Sequence, residues 1–258
     1  MSLANRSSEE LWVCHLGTLP YGDALAIQGQ IRTQRQANEL PDTLLLLEHP
    51  PVYTRGRRSG ADDLPFGEDF YRAKGVDVVN TDRGGQLTYH GPGQLVGYPI
   101  MRIHDVHRYL RMMEDAIIDA LADAGVSARS RREEGIDYTG VWVQDRKIAS
   151  IGVHVSRGVT THGFAVNVDN DLDPFSWVIA CGLPSVTMTS LARESAGECE
   201  ALSCFRKRAA YAFCQAHDRR QRLVSPQRLG IDTANPSRLA ERVPINATQP
   251  ASVELVPV

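Results

Sequence analysis

Between residues 21 and 38, Leu25, Ile27 and Ile31 recur at roughly helical spacing, which predicts an amphipathic helix. A second helix is expected from Asp105 to Ala124. There Leu110, Met113, Ile117, Ile118 and Leu121 mark one face, Asp105 can cap the start and Gly125 can end it. A late helix is expected over 199–217. The run TLLLLEH at 43–49, bounded by Pro41 and Pro50, has no polar alternation and suits a strand buried on both faces. Residues 76–80, 94–100 and 163–168 read as further strands. Segments 140–144 and 147–155 read as a hairpin turning at Asp145-Arg146.

These elements predict one α/β domain of mixed topology ending near residue 217. Beyond it, Pro, Arg, Ser, Asn and Thr accumulate without period, so 218–258 is expected to be a poorly ordered tail. A chain of 258 residues, 42% of them hydrophobic, suffices for one sizeable core and is thin for two. The net charge of −3 gives no global reason to expect nucleic acid or a membrane surface. Two local basic groups stand out, Arg55, Arg57 and Arg58, and Arg129, Arg131 and Arg132; each is either a solvated loop or a site for an acidic partner. The N-terminus lacks a signal-peptide core, and no apolar run approaches the roughly 20 residues that span a bilayer. Five cysteines without paired spacing suggest reduced thiols, and the expectation is a cytosolic protein.

Three segments carry candidate chemistry. The string Arg83, Gly84, Gly85, Gln86, Leu87, Thr88, Tyr89, His90, Gly91, Pro92, Gly93, Gln94 combines bare backbone with a dense set of polar and aromatic groups. It is neither a P-loop nor a dinucleotide fingerprint, and it reads as a tight loop or a binding surface. Lys147 starts a strand whose small residues Ala149, Ser150 and Gly152 leave room for a linear alkyl chain; read alone, Lys147 is a surface charge. Cys181 stands between an apolar run and a Gly-x-Pro turn, where a thiol is either a small buried hydrophobe or a positioned nucleophile. The histidines lack paired zinc spacings, so no metal is expected.

Taken together the segments resemble lipoyl(octanoyl) transferases. The resemblance rests on Leu47 to Pro50 with Val52-Tyr53-Thr54, on Arg83 to Gln94, and on Thr139 to Trp142. It continues through Lys147 to Gly152, His162 to Asn167 and Cys181-Gly182. It implies the fold of biotin and lipoate ligase catalytic domains, a mixed sheet flanked by helices. It implies transfer of octanoyl from octanoyl-acyl-carrier protein to lipoyl domains of 2-oxoacid dehydrogenase E2 subunits and of the glycine cleavage H protein, with no cofactor. It also implies roles: Cys181 as acyl-thioester nucleophile and Lys147 as its activating base. Arg83 to His90, with Ser150, Ile151, Gly152, Gly163, Phe164 and Ala165, would line the acyl site, and His90 would orient substrate or dyad.

Three rivals stay open on sequence. A ligase of the same fold is one, because Thr54 to Gly60 resembles the Gly-Arg-Gly-Arg nucleotide loop of biotin ligases. A thiol hydrolase pairing Cys181 with His90 or His162 is another, and a non-catalytic acyl-carrier-binding module is the third.

Overall fold

The computed structural model describes residues 9–179, 186–195 and 201–232. Cys181 and Gly182 therefore lie outside the described residues. The main sheet runs β12-β1-β2-β6-β10-β9-β8-β7. Its strands are β1 (Glu10–Thr18), β2 (Thr43–Glu48), β6 (Gln94–Ile100), β7 (Arg129–Ser130), β8 (Gly140–Val143), β9 (Arg146–Ser156), β10 (Val159–Asn167) and β12 (Arg220–Leu223). A short strand, β11 (Thr187–Met188), pairs with β9. A small second sheet joins β3 (Val52–Arg55), β4 (Asp77–Asn80) and β5 (Thr88–His90). Helices are α1 (Tyr21–Gln36), α2 (Glu68–Ala73), α3 (Val106–Asp123), α4 (Leu191–Glu194) and α5 (Leu202–Ala216).

The apolar run in β2 is explained by its place. Leu44 and Leu46 enter the core under α3 and α5, while Leu45 and Leu47 enter the core under α1. A strand covered on both faces has no solvent side to alternate with. In α3 the Asp105 carboxylate accepts the Arg108 N–H at 2.9 Å, and Gly125 takes the positive φ that ends the helix. Tyr53, Tyr71, Leu87 and Tyr89 centre a third core under the small sheet. Among the described residues, no helix is long and apolar enough to cross a membrane.

Two expectations need correction. The hairpin turns one residue earlier, at Gln144-Asp145, with Gln144 at positive φ and Arg146 already in β9. The tail does not begin at 218: β12 pairs in parallel with β1, the Arg222 and Arg228 guanidinium groups both lie over the Trp12 ring, and Leu229 and Ile231 are buried. The segment RQRL carries no apolar period, so its pairing with an existing edge, and not its own composition, orders it. Residues 233–258 lie outside the described part.

Candidate active site

A cavity of about 560 Å³ opens over the paired strands β9 and β10 of the main sheet. Its floor is made of small residues in register, Ser150 opposite Ala165 and Gly152 opposite Gly163. Bare backbone there lets neighbours close in. A Cβ on Gly152 would lie 2.8 Å from the Gly84 carbonyl oxygen, and the Gly84 N–H donates to Val153 O at 2.9 Å. The Gly-rich loop is thus laid directly on the edge of β9.

That loop is held from its other side by the residues after β3. The N–H groups of Arg57 and Arg58 donate to the Arg83 and Gly85 carbonyls, each at 3.0 Å. Gly56 admits the contact, since a Cβ would stand 2.4 Å from Gly85 O. The Arg83 guanidinium is nearly buried; Nη2 donates to Thr54 O at 2.5 Å and to Thr54 Oγ1 at 2.8 Å, and Nη1 to Gly84 O at 3.1 Å. The Gly-Arg-Arg segment that resembles a nucleotide loop spends these backbone donors on the wall of the cavity.

Arg83, Gly84, Gly85, Gln86, Leu87, Thr88, His90, Lys147, Ser150, Ile151, Gly152, Gly163, Phe164 and Ala165 all line this cavity. Tyr89 does not. Strand alternation turns it away from Thr88 and His90, into the third core against Tyr53 and Phe175. His90 donates from Nδ1 to Gln94 Oε1 at 2.7 Å, and Gln94 and Asn167 extend this chain to the Thr189 carbonyl. Burial pushes the His90 pKa well down, with His49 alongside adding to the effect, which favours the neutral ring.

Sequence reading passed over Tyr21, Tyr98 and the role of His162. His162 sits at φ +57, a conformation costly outside glycine. Asp82 Oδ1 accepts from its Nε2 at 2.6 Å, Tyr21 OH bonds its Nδ1 at 3.2 Å, and Gln28 Oε1 accepts its backbone N–H at 2.7 Å. The His162 hydrogen bond, foremost, holds Asp82 down at about 2. Both ring nitrogens of His162 are occupied, which disfavours it as the base of a thiol hydrolase. His49 fixes Tyr98, accepting its hydroxyl proton at Nε2 over 2.7 Å; burial lowers the His49 pKa to about 4. No local periodicity could have signalled these contacts, which join residues up to 141 positions apart.

Lys147 is not a surface charge. It is 2% exposed, and its Nζ lies 5.2 Å over the Trp142 ring. Among the described residues no carboxylate pairs with it. Its carbonyl accepts the Thr189 N–H at 2.9 Å as β11 runs beside β9. On the other side of the undescribed stretch containing Cys181, the Ile179 N–H donates to Asp63 O at 3.1 Å.

The sequence profile of the lipoyl protein ligase A/B catalytic domain matches residues 20–206, well over half of the chain. The chain belongs to the lipoyl protein ligase A/B catalytic-domain family. Within that family it is 49% identical over 182 residues to an octanoyltransferase of Rubrobacter xylanophilus, covering 69% of this chain and 80% of the relative. It is 41% identical over 197 residues to an octanoyltransferase of Corynebacterium glutamicum, covering 73% and 74%. Among solved structures, a bipartite lipoate protein ligase from Thermoplasma acidophilum superposes with a TM-score of 0.69 at 17% identity, over 90% of this chain and 91% of that one. A lipoate-protein ligase A bound with ATP gives 0.69 at 16% identity over 91% and 93%. At that identity the likeness establishes the ligase-type fold alone, and the mixed sheet flanked by helices agrees with the expected fold class.

Proposed function

We infer that this family member is an octanoyltransferase that delivers an octanoyl group to the lysine of a lipoyl domain in lipoate biosynthesis. The observation that carries the reading is an apolar-walled cavity with one buried amine, Lys147, in a chain 49% identical over 182 residues to an octanoyltransferase. Its volume falls within the roughly 300–1,000 Å³ of small-ligand sites. The donor in this reading is octanoyl-acyl-carrier protein; the acceptors are lipoyl domains of 2-oxoacid dehydrogenase E2 subunits and of the glycine cleavage H protein.

The chemistry proceeds in two balanced steps. The Cys181 thiolate attacks the donor thioester and the carrier thiolate leaves, exchanging one thioester for another at little free-energy cost. The acceptor lysine, as a neutral amine, then attacks the Cys181 thioester; an amide forms, the Cys181 thiolate leaves, and the amine proton is taken up. No nucleotide is consumed. A free cysteine has a pKa of roughly 8.5, and a nearby ammonium favours its thiolate. Lys147 supplies that ammonium, gives its proton to the departing carrier thiolate and, now neutral, accepts the proton of the incoming amine.

Mixing the protein with octanoyl-acyl-carrier protein should add one octanoyl mass by intact-protein mass spectrometry, and Cys181→Ser should add none. A normal adduct on the serine variant would overturn the covalent step. ATP-dependent product formation would point instead to a ligase.

The two basic clusters now separate as docking candidates. Arg129 faces Asp145 at 3.5 Å, Arg132 bonds Asp115 at 2.6 Å, and Arg131 pairs with Glu134 while stacked on Tyr138 and Trp142. Arg58 bonds Asp137, whereas Arg57 lies at the cavity with no acidic partner among the described residues. Arg57→Glu is expected to raise KM for the carrier-borne donor on the order of tenfold in low salt, with the effect shrinking as salt rises. A salt-independent KM would remove Arg57 from the docking surface.

A further inference from the structure

Glu114, on α3, is fully buried and is not among the cavity-lining residues. Its Oε1 accepts the Gly140 N–H at 3.0 Å; its Oε2 accepts from Arg111 Nη1 at 2.9 Å, with Arg132 Nε 3.9 Å away. An Arg–Glu pair three residues apart forms equally well on a helix surface, and withdrawing a carboxylate from water is costly. What burial adds here is an acceptor oxygen held on one backbone N–H of the neighbouring strand.

The gripped residue is the one against which Lys147 lies. Gly140 sits at φ +136, and a Cβ on it would stand 2.5 Å from Ala149 O and 2.8 Å from Lys147 Cε. The lysine stem therefore crosses the bare Cα of Gly140. Two residues on, the β8–β9 register slips between Val141 and Trp142, which sets Trp142 opposite Lys147 and its ring under Nζ. Both walls of the lysine channel belong to β8, and the first residue of β8 hangs on Glu114.

We propose that Glu114 is a positioning residue for Lys147, acting through the Gly140 N–H to fix the channel in which the lysine stem lies. The proposal rests on the reading of Lys147 as the activating base. It needs no contact between Glu114 and substrate, and it gives a buried carboxylate a role in the transfer reaction.

The test is the pH profile of single-turnover acyl-enzyme formation from octanoyl-pantetheine, read by mass spectrometry well below the unfolding temperature, alongside urea unfolding. Glu114→Leu removes the acceptor, and Glu114→Asp keeps the charge but shortens its reach to Gly140. Both should slow acylation about 10- to 100-fold and move its rising limb to higher pH, because a displaced ammonium stabilises the thiolate less. Glu114→Gln keeps an oxygen for the Gly140 N–H and should restore most of the rate and the original limb, even though the Arg111 ion pair is lost. If Leu does not fold, the contrast between Asp and Gln decides the matter. Asp and Leu variants with a lowered urea midpoint but an unmoved limb would overturn the proposal, as would a Gln variant that behaves like Asp. A Lys147→Met protein with an unmoved limb would instead sink the reading of Lys147, so the two failures are distinguishable.

Discussion

Lys147→Met is expected to cut octanoyl transfer by about 10³-fold while leaving the protein as stable as before, or more so. Lys147 is 2% exposed with its ammonium against an indole face, and among the described residues no carboxylate compensates it. A buried cation so placed costs folding free energy that an unbranched apolar side chain of similar length would not. In the proposed mechanism the residue is explained by chemistry rather than by stability. Steady-state transfer assays and urea midpoints on the same preparations check both halves. Activity within tenfold of the parent would remove Lys147 from the mechanism. A loss of several kcal/mol of stability would mark it as a structural cation.

Gly163→Ala should do the opposite, damaging the fold first. A Cβ there would stand 2.2 Å from the Gly97 carbonyl oxygen and 2.5 Å from Pro99 Cδ. Gly97 lies in β6, paired on both sides with β2 and β10, so its carbonyl has nowhere to retreat. Overpacking of this kind costs about 3 kcal/mol, near the upper end of the usual range. The urea midpoint should fall with an unchanged m-value, since the same surface is exposed on unfolding. Gly152→Ala meets the Gly84 carbonyl at 2.8 Å, on a loop rather than a central strand, so its damage should fall more on activity than on stability. Equal midpoints for Gly163→Ala and the parent would show that the sheet relaxes between β6 and β10.

Much of the scaffold was legible because it is locally encoded. The apolar run of β2 and the stripe and caps of α3 state their own burial, while the dense polar and glycine string at 83–94 read as either a tight loop or a binding surface. Strand alternation across 88–90, applied to that string, would also have separated Thr88 and His90 from Tyr89. β12 was not legible, since RQRL is ordered by an edge it did not make.

By itself, then, the sequence determined the mixed α/β class, the principal helices and strands, and the segments that meet at the cavity. Only the tertiary structure decided what those residues are there. It buried a lysine that reads as solvated, by slipping the β8–β9 register and stacking it on Trp142. It bent the chain at His162 to join Asp82 and Tyr21, and it anchored Gly140 to a helix 26 residues away. The physical reason is the same in each case. Burial, register and hydrogen-bond partners are properties of pairs distant in sequence, and a periodicity of 2 or 3.6 carries no information about them.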